Sequence, residues 1–290
     1  MERKHVNLSP LQWRELQGLI TPLVSQYKTE YIICFGYLND TKATTSCFIE
    51  DVKQSNTHYF LLMITTAVTR IEHEVQDYVN SHFDKAGITI IVHGLETITN
   101  AISQGSRFFT AVCRDGMQLY TASGLRLNLD YPHLNPDTTL AKAEKHYYHR
   151  YCMALGFMEA AGECFEKEYY NNTIFMLHQA VEQACIAMIR VFMAYRSDIH
   201  NLSRLLNLCL CFSGEPAALF PRKTTEDQRL FQLLLKSYTD TRYRDEYKVT
   251  SQDADMLCTQ VRAFIELIEE LCIDRINDLR TAIIDVPKQD

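Results

Sequence analysis

Apolar positions along the chain follow two different periods. Up to about residue 125, short β-branched and aromatic runs alternate with stretches of three- and four-residue spacing; beyond about residue 137 only the helical spacing remains. The most extreme stretch is Tyr170 to Leu206. Ile174, Leu177, Ala180, Val181, Ala184, Ile186, Met188, Ile189 and Phe192 give it an apolar face too wide for a helix lying on a surface. His178, Gln179, Glu182 and Gln183 lie among those apolar neighbours. The pattern breaks at Tyr195-Arg196-Ser197-Asp198 and a second amphipathic segment starts near His200, so helix, polar break and helix are expected to form the core of a bundle.

In the first half, Ser9 followed by Pro10 reads as an N-cap and first helical residue, with Leu11, Leu16, Leu19 and Ile20 behind it and Pro22 expected to end or kink the helix. YIICFGY (31–37) predicts a buried strand entering a turn at Gly36, followed by a polar loop, LNDTKATT. SCFIED (46–51) and THYFLLMITTA (57–67) predict two strands separated by the turn DVKQSN. Ile71, Val75, Tyr78, Val79, His82 and Phe83 place a helix over 70–85, closed by Gly87. ITIIVHG (88–94) reads as a strand, LETITNAISQG as a short helix, and FFTAVCRDGMQLY (108–120) as strands around an Asp115-Gly116 turn.

The second half predicts five helices: 137–168, the central one from Tyr170, 201–212, 225–239 and 251–279. The fold class is therefore α+β, an α/β domain over 1–126 followed by an all-α bundle over 137–282. The proline-bearing stretch 127–136 is the linker and 283–290 a frayed tail.

Composition narrows this picture. A net charge of −7 gives no global footprint for nucleic acid, although a local basic groove is compatible with it. No secretory leader is evident at MERKHVNLSP and no apolar run of about 18 residues stands out, so a cytoplasmic protein without a membrane partner is expected. The ten cysteines contain no CxxC pair and read as reduced, small hydrophobes, so no metal and no cofactor is expected from them.

Three motifs in order resemble the HEPN domain, a helical bundle: FMLHQAVEQACIAM (175–188), HNLSRLL (200–206) and TRYRDEYKVTSQDADMLCTQV (241–261). HEPN domains often stand beside nucleotidyltransferases of the DNA polymerase beta type. That resemblance implies, for the first half, a helix, a strand ending in Gly-Ser and a strand beginning Asp-x-Asp, whose carboxylates hold two magnesium ions. Here Tyr37 follows Gly36, and His58 and Phe60 stand where the aspartates belong. Imidazole and phenyl rings cannot replace hard oxygen ligands, and Asp40, Glu50 and Asp51 read as solvated turn acids. The first domain is thus expected to be a degenerate nucleotidyltransferase-like domain.

Some HEPN proteins are metal-independent ribonucleases of toxin or defence type with an Arg-x(4–6)-His motif. The nearest pair in the bundle, Arg196 and His200, is separated by three residues, so these two are only weak catalytic candidates. His178, Gln179 and Glu182 on successive helical turns, with Arg242, Tyr243 and Arg244 from the turn opposite, are the candidate ligand-binding set. Arg190 and Arg196 read as a solvated face, and His146, His149 and the tyrosines 147, 148 and 151 as an interface or core stripe. The expected function is non-catalytic binding of a nucleotide or RNA. A ribonuclease and a structural dimerisation module are the alternatives. The resemblance further implies a homodimer through the HEPN helices.

Overall fold

A computed structural model describes residues 6–46, 49–66 and 71–284, and for 40–56 it describes no side chains. The expectations for Asp40, Glu50, Asp51 and the tail DVPKQD lie outside that description. The chain forms two compact units, Met1–His133 and Leu134–Asp290.

The first unit opens with α1 (Pro10–Gln26), capped by a reciprocal pair in which Gln12 N–H donates to the Ser9 hydroxyl and Ser9 N–H to the Gln12 side chain. Pro22 does not end this helix, which continues for another turn. Strand β1 (Thr29–Ser46) and strand β2 (Ile49–Thr65) then pair antiparallel. Two expectations are corrected here. Gly36 is no turn: it pairs with Phe60, and the chain absorbs it as a register shift between Cys34 and Gly36. LNDTKATT and DVKQSN are likewise strand rather than loop and turn. Cross-strand backbone pairing supplies there what apolar alternation does not, and side-chain pattern alone cannot reveal it.

Helix α2 (Glu72–His82) leads to β3 (Gly87–Gly94), so Gly87 opens a strand rather than closing a helix. Helix α3 (Leu95–Ser103) follows. The next segment is a further correction: α4 (Arg107–Asp115) is a helix, and only β4 (Met117–Thr121) is strand. Ser106 caps α4 through the Phe109 N–H, and Phe108, Phe109 and Val112 bury one face, a signal hidden by the β-prone composition of FFTAVC. The sheet order is β3-β2-β1-β4, with β2 and β3 parallel and the other pairs antiparallel.

Both faces of this mixed sheet are covered. Ile32, Cys34, Tyr59, Leu61 and Met63 pack with Leu16, Leu19 and Leu23 of α1 and Val75 and Val79 of α2. Phe60 lies against Phe35, which meets Phe108 of α4 edge-on. Coverage on both sides is why THYFLLMIT is a near-continuous apolar run rather than an alternating one.

The second unit is helical: α5 (Pro136–Glu166), α6 (Tyr170–Met193), α7 (Leu202–Cys209), the single turn α8 (Glu215–Ala218), α9 (Thr225–Tyr243) and α10 (Ser251–Ile284). Helix α8 is one element more than the five expected. Helix α6 packs against α5, α7, α9 and α10, which explains its apolar circumference. By length and composition it is also the one helix, among the described residues, that could cross a membrane; most of its surface is buried in the bundle. Asn171 fastens the α9–α10 connection to α6: its amide donates to the Tyr247 carbonyl at 2.7 Å and accepts from Val249 N–H at 3.0 Å. Arg229 of α9 reaches the buried Asp253 of α10 at 3.2 Å through Nη1. The described cysteines are all free.

Candidate functional site

The polar residues of α6 do not scatter. His178 is only 1% exposed, and its Nδ1 lies 3.1 Å from the Leu234 carbonyl on α9. A carbonyl can only accept, so Nδ1 carries the proton. Burial pushes the His178 ring down to about 4, so near neutrality it is uncharged and its Nε2 is an acceptor. That nitrogen faces Glu182 Oε2 at 3.9 Å, too far for a hydrogen bond, and both atoms are enclosed without a hydrogen-bond partner. Two acceptors so enclosed lack a donor, and one from outside reaches them only if the packing around them opens.

Glu182 uses its other oxygen. Oε1 accepts from His200 Nδ1 at 3.0 Å, and the His200 side chain is 64% exposed. Chain direction makes this possible: α6 ends in a left-handed residue, Ala194 (φ 57°), and the segment after it returns His200 alongside Glu182.

Tyr238 of α9 organises the rest. The rings of His178 and His200 lie 5.4 and 6.3 Å from it, nearly parallel to its plane. The Arg242 guanidinium sits 4.2 Å from its centroid, anchored by Nε donating to the Tyr238 carbonyl at 2.7 Å. His178, His200 and Arg242, predicted from sequence, therefore meet around one ring, and Glu182 joins them through His200. Tyr238 itself escaped sequence reasoning; its spacing four residues before Arg242 and four after Leu234 was the available signal.

The other candidates are placed differently. Tyr243 is exposed, with Arg242 5.1 Å from its ring, and Arg244 turns to Asp240 at 3.3 Å. Gln179 is half-buried, with its Nε2 enclosed and unpartnered. Arg196 is 78% exposed and points to Asp198 at 3.7 Å. Arg190 is half-buried rather than solvated. Tyr151 donates to Glu269 at 2.7 Å and stacks with Tyr147, whereas Tyr148 is exposed.

In the first unit, His58 and Phe60 lie on β2 with ring centroids 5.0 Å apart. His58 Nε2 is 2.8 Å from the Thr89 hydroxyl, and burial pushes its ring down to about 4. Among the described residues, no group of three His, Cys, Asp or Glu side chains is placed to hold a metal ion.

Comparison with known proteins agrees with the second unit. No curated protein matches the chain. A nucleotidyltransferase-like protein from Exiguobacterium sibiricum 255-15 is similar in structure at 9% identity and a TM-score of 0.29, covering 91% of this chain and 78% of that one. The HEPN domain family model matches residues 147–271, which span α6, α7, α8 and α9 with most of α5 and α10. Residues 147–271 of this chain are a HEPN domain.

Proposed function

We propose that this protein binds a nucleotide or RNA through the Tyr238 cluster without cutting it, and that the first unit is a nucleotidyltransferase-like domain without its metal-binding carboxylates. The carrying observation is the pair of enclosed, unpartnered acceptors, His178 Nε2 and Glu182 Oε2, flanked by Arg242 on the Tyr238 ring. A base or ribose offers N–H and O–H donors for the acceptors. A phosphate offers the oxyanion for the guanidinium. At the positions where the polymerase beta type carries its aspartates, a neutral imidazole and a phenyl ring offer magnesium no oxygen. A thermal-shift panel of nucleoside phosphates and short RNAs tests the proposal: at least one is expected to raise the midpoint in wild type but not in Arg242→Ala. No response to any member of the panel would count against it.

A second reading has its own observation. The His200 side chain is exposed while Glu182 accepts from its Nδ1–H, an arrangement that orients an imidazole for proton transfer through its other nitrogen. Under that reading the protein cleaves RNA without metal, and His200→Ala abolishes cleavage. Wild-type protein free of contaminating nuclease that leaves RNA intact excludes it.

A further inference from the structure

Strand β3 is an edge of the sheet and, among the described residues, its strand partner is β2. Its sequence, GITIIVHG, sets five β-branched residues in succession, and neither a charge nor a proline stands between Lys85 and Glu96. Such a run on an open edge is a template for a further strand, so edges are ordinarily closed by a lysine, a proline, a bulge or sheer shortness. The opposite edge, β4, is five residues long, and its register with β1 shifts between Ile32 and Ile33. Strand β3 is eight residues long, and its pairing with β2 runs without a shift from Gly87 to Gly94.

A side chain of α2 meets this edge instead. Gln76, 3% exposed, accepts from Ile90 N–H through Oε1 at 3.0 Å and donates through Nε2 to the Ile88 carbonyl at 2.9 Å. A backbone N–H only donates and a carbonyl only accepts, so the orientation of the amide is fixed by its partners. Backbone groups alternate in direction along a strand; these two point away from β2, and those of Thr89 between them point towards it. A residue lying opposite Thr89 in a parallel neighbour strand would make the same two bonds, one to the carbonyl of Ile88 and one from the N–H of Ile90. The other hydrogen of the amide goes to Asn80 Oδ1 at 2.9 Å, one turn further along α2. Val75 and Val79 pack α2 onto the sheet, which holds the carboxamide at this distance.

We propose that Gln76 guards the β3 edge: its carboxamide takes the place of a neighbouring strand and keeps the edge of one copy from pairing with the same edge of a second copy. An apolar side chain in its place leaves the Ile88 carbonyl and the Ile90 N–H without partners, and an incoming strand satisfies both. That strand is the β3 of a second copy, because two uncharged β-branched runs meet with no like charges opposed. The inference concerns the first unit alone and uses no part of the Tyr238 cluster.

Three measurements on the whole chain test it in wild type, Gln76→Met and Asn80→Ala: sedimentation over a concentration series, amide hydrogen exchange, and binding of a labelled peptide carrying residues 87–94. Gln76→Met keeps the volume of the side chain and removes its hydrogen bonds. Exchange at the Ile90 N–H is expected to quicken at least about tenfold and self-association to strengthen by a similar factor. The peptide should bind this variant and not wild type, and its form N-methylated at alternate residues, which cannot pair its backbone, should bind neither. Asn80→Ala changes an exposed position, frees the amide to turn and should give smaller changes in the same direction; it decides the outcome if Gln76→Met does not fold. Faster exchange at Ile90 without added association or peptide binding overturns the proposal, since Gln76 would then only brace α2 on the sheet. Unchanged exchange overturns it too, as does equal capture of the peptide and its N-methylated form, which would mean apolar adhesion rather than strand pairing.

Discussion

His178 and His58 are buried imidazoles in different units, and burial acts on both in the same direction. Each ring is pushed from the ordinary value of 6.5 to about 4 in the folded chain. Between those values the unfolded chain binds a proton that the folded chain refuses. The stabilisation is therefore fully present above about pH 6.5 and is lost as pH falls towards 4, with each ring contributing on the order of 2 to 3 kcal/mol. Thermal unfolding is expected to shift to lower temperature from neutral pH to about pH 5. His58→Gln, which keeps an amide for Thr89, should flatten that dependence in the first unit. A midpoint insensitive to pH across this window would contradict the buried, neutral assignment. Neither shift was legible in the sequence, because the partners that enclose each ring, Thr89 for His58 and Leu234 with Tyr238 for His178, are 31 to 60 residues away along the chain.

At the scale of elements, Gly87 shows how one position sets the β2–β3 alignment. It pairs with His58, and a Cβ at Gly87 would lie 2.3 Å from His58 Nδ1. The ring is held by Thr89 and packed on Phe60, so it cannot swing aside freely. Gly87→Ala should cost about 1 to 3 kcal/mol in a denaturant titration, and His58→Ala in the same chain should recover part of it. The α9–α10 contact behaves differently. Arg229 holds the Asp253 carboxyl below its usual range, and Asp253→Asn should cost about 1 to 2 kcal/mol, discounted for the half-exposed arginine. Unchanged stability in that variant would show that the pair only decorates the helices. Helices with strong periodicity, such as α2, α6 and α9, were legible to within a few residues. The long β1–β2 hairpin was not, because its polar part is strand through backbone pairing, and α4 was not, because Phe and Val at its start favour strand locally while Ser106 and the sheet decide otherwise.

For the whole molecule, the sequence disclosed the division into a mixed α/β part and a helical part through the change of hydrophobic period, and it disclosed the HEPN bundle through three motifs in order. Three of the six predicted ligand residues, His178, Glu182 and Arg242, and the weak catalytic candidate His200 are close together because α6 and α9 pack side by side and the chain folds back after Ala194. Spacing along one helix could bring only His178 and Glu182 together. The proximity of Arg150 and Arg190 remained hidden for the same reason: they are 40 residues apart in sequence and become neighbours only through the helical hairpin. The most direct test of the central claim is a calorimetric titration of the whole chain with nucleoside phosphates and a short oligoribonucleotide, in wild type and Arg242→Ala. Saturable binding in wild type, weakened at least about tenfold in the variant with its thermal unfolding unchanged, is the predicted result. Identical binding in both proteins, or no heat from any ligand with wild type, would contradict it.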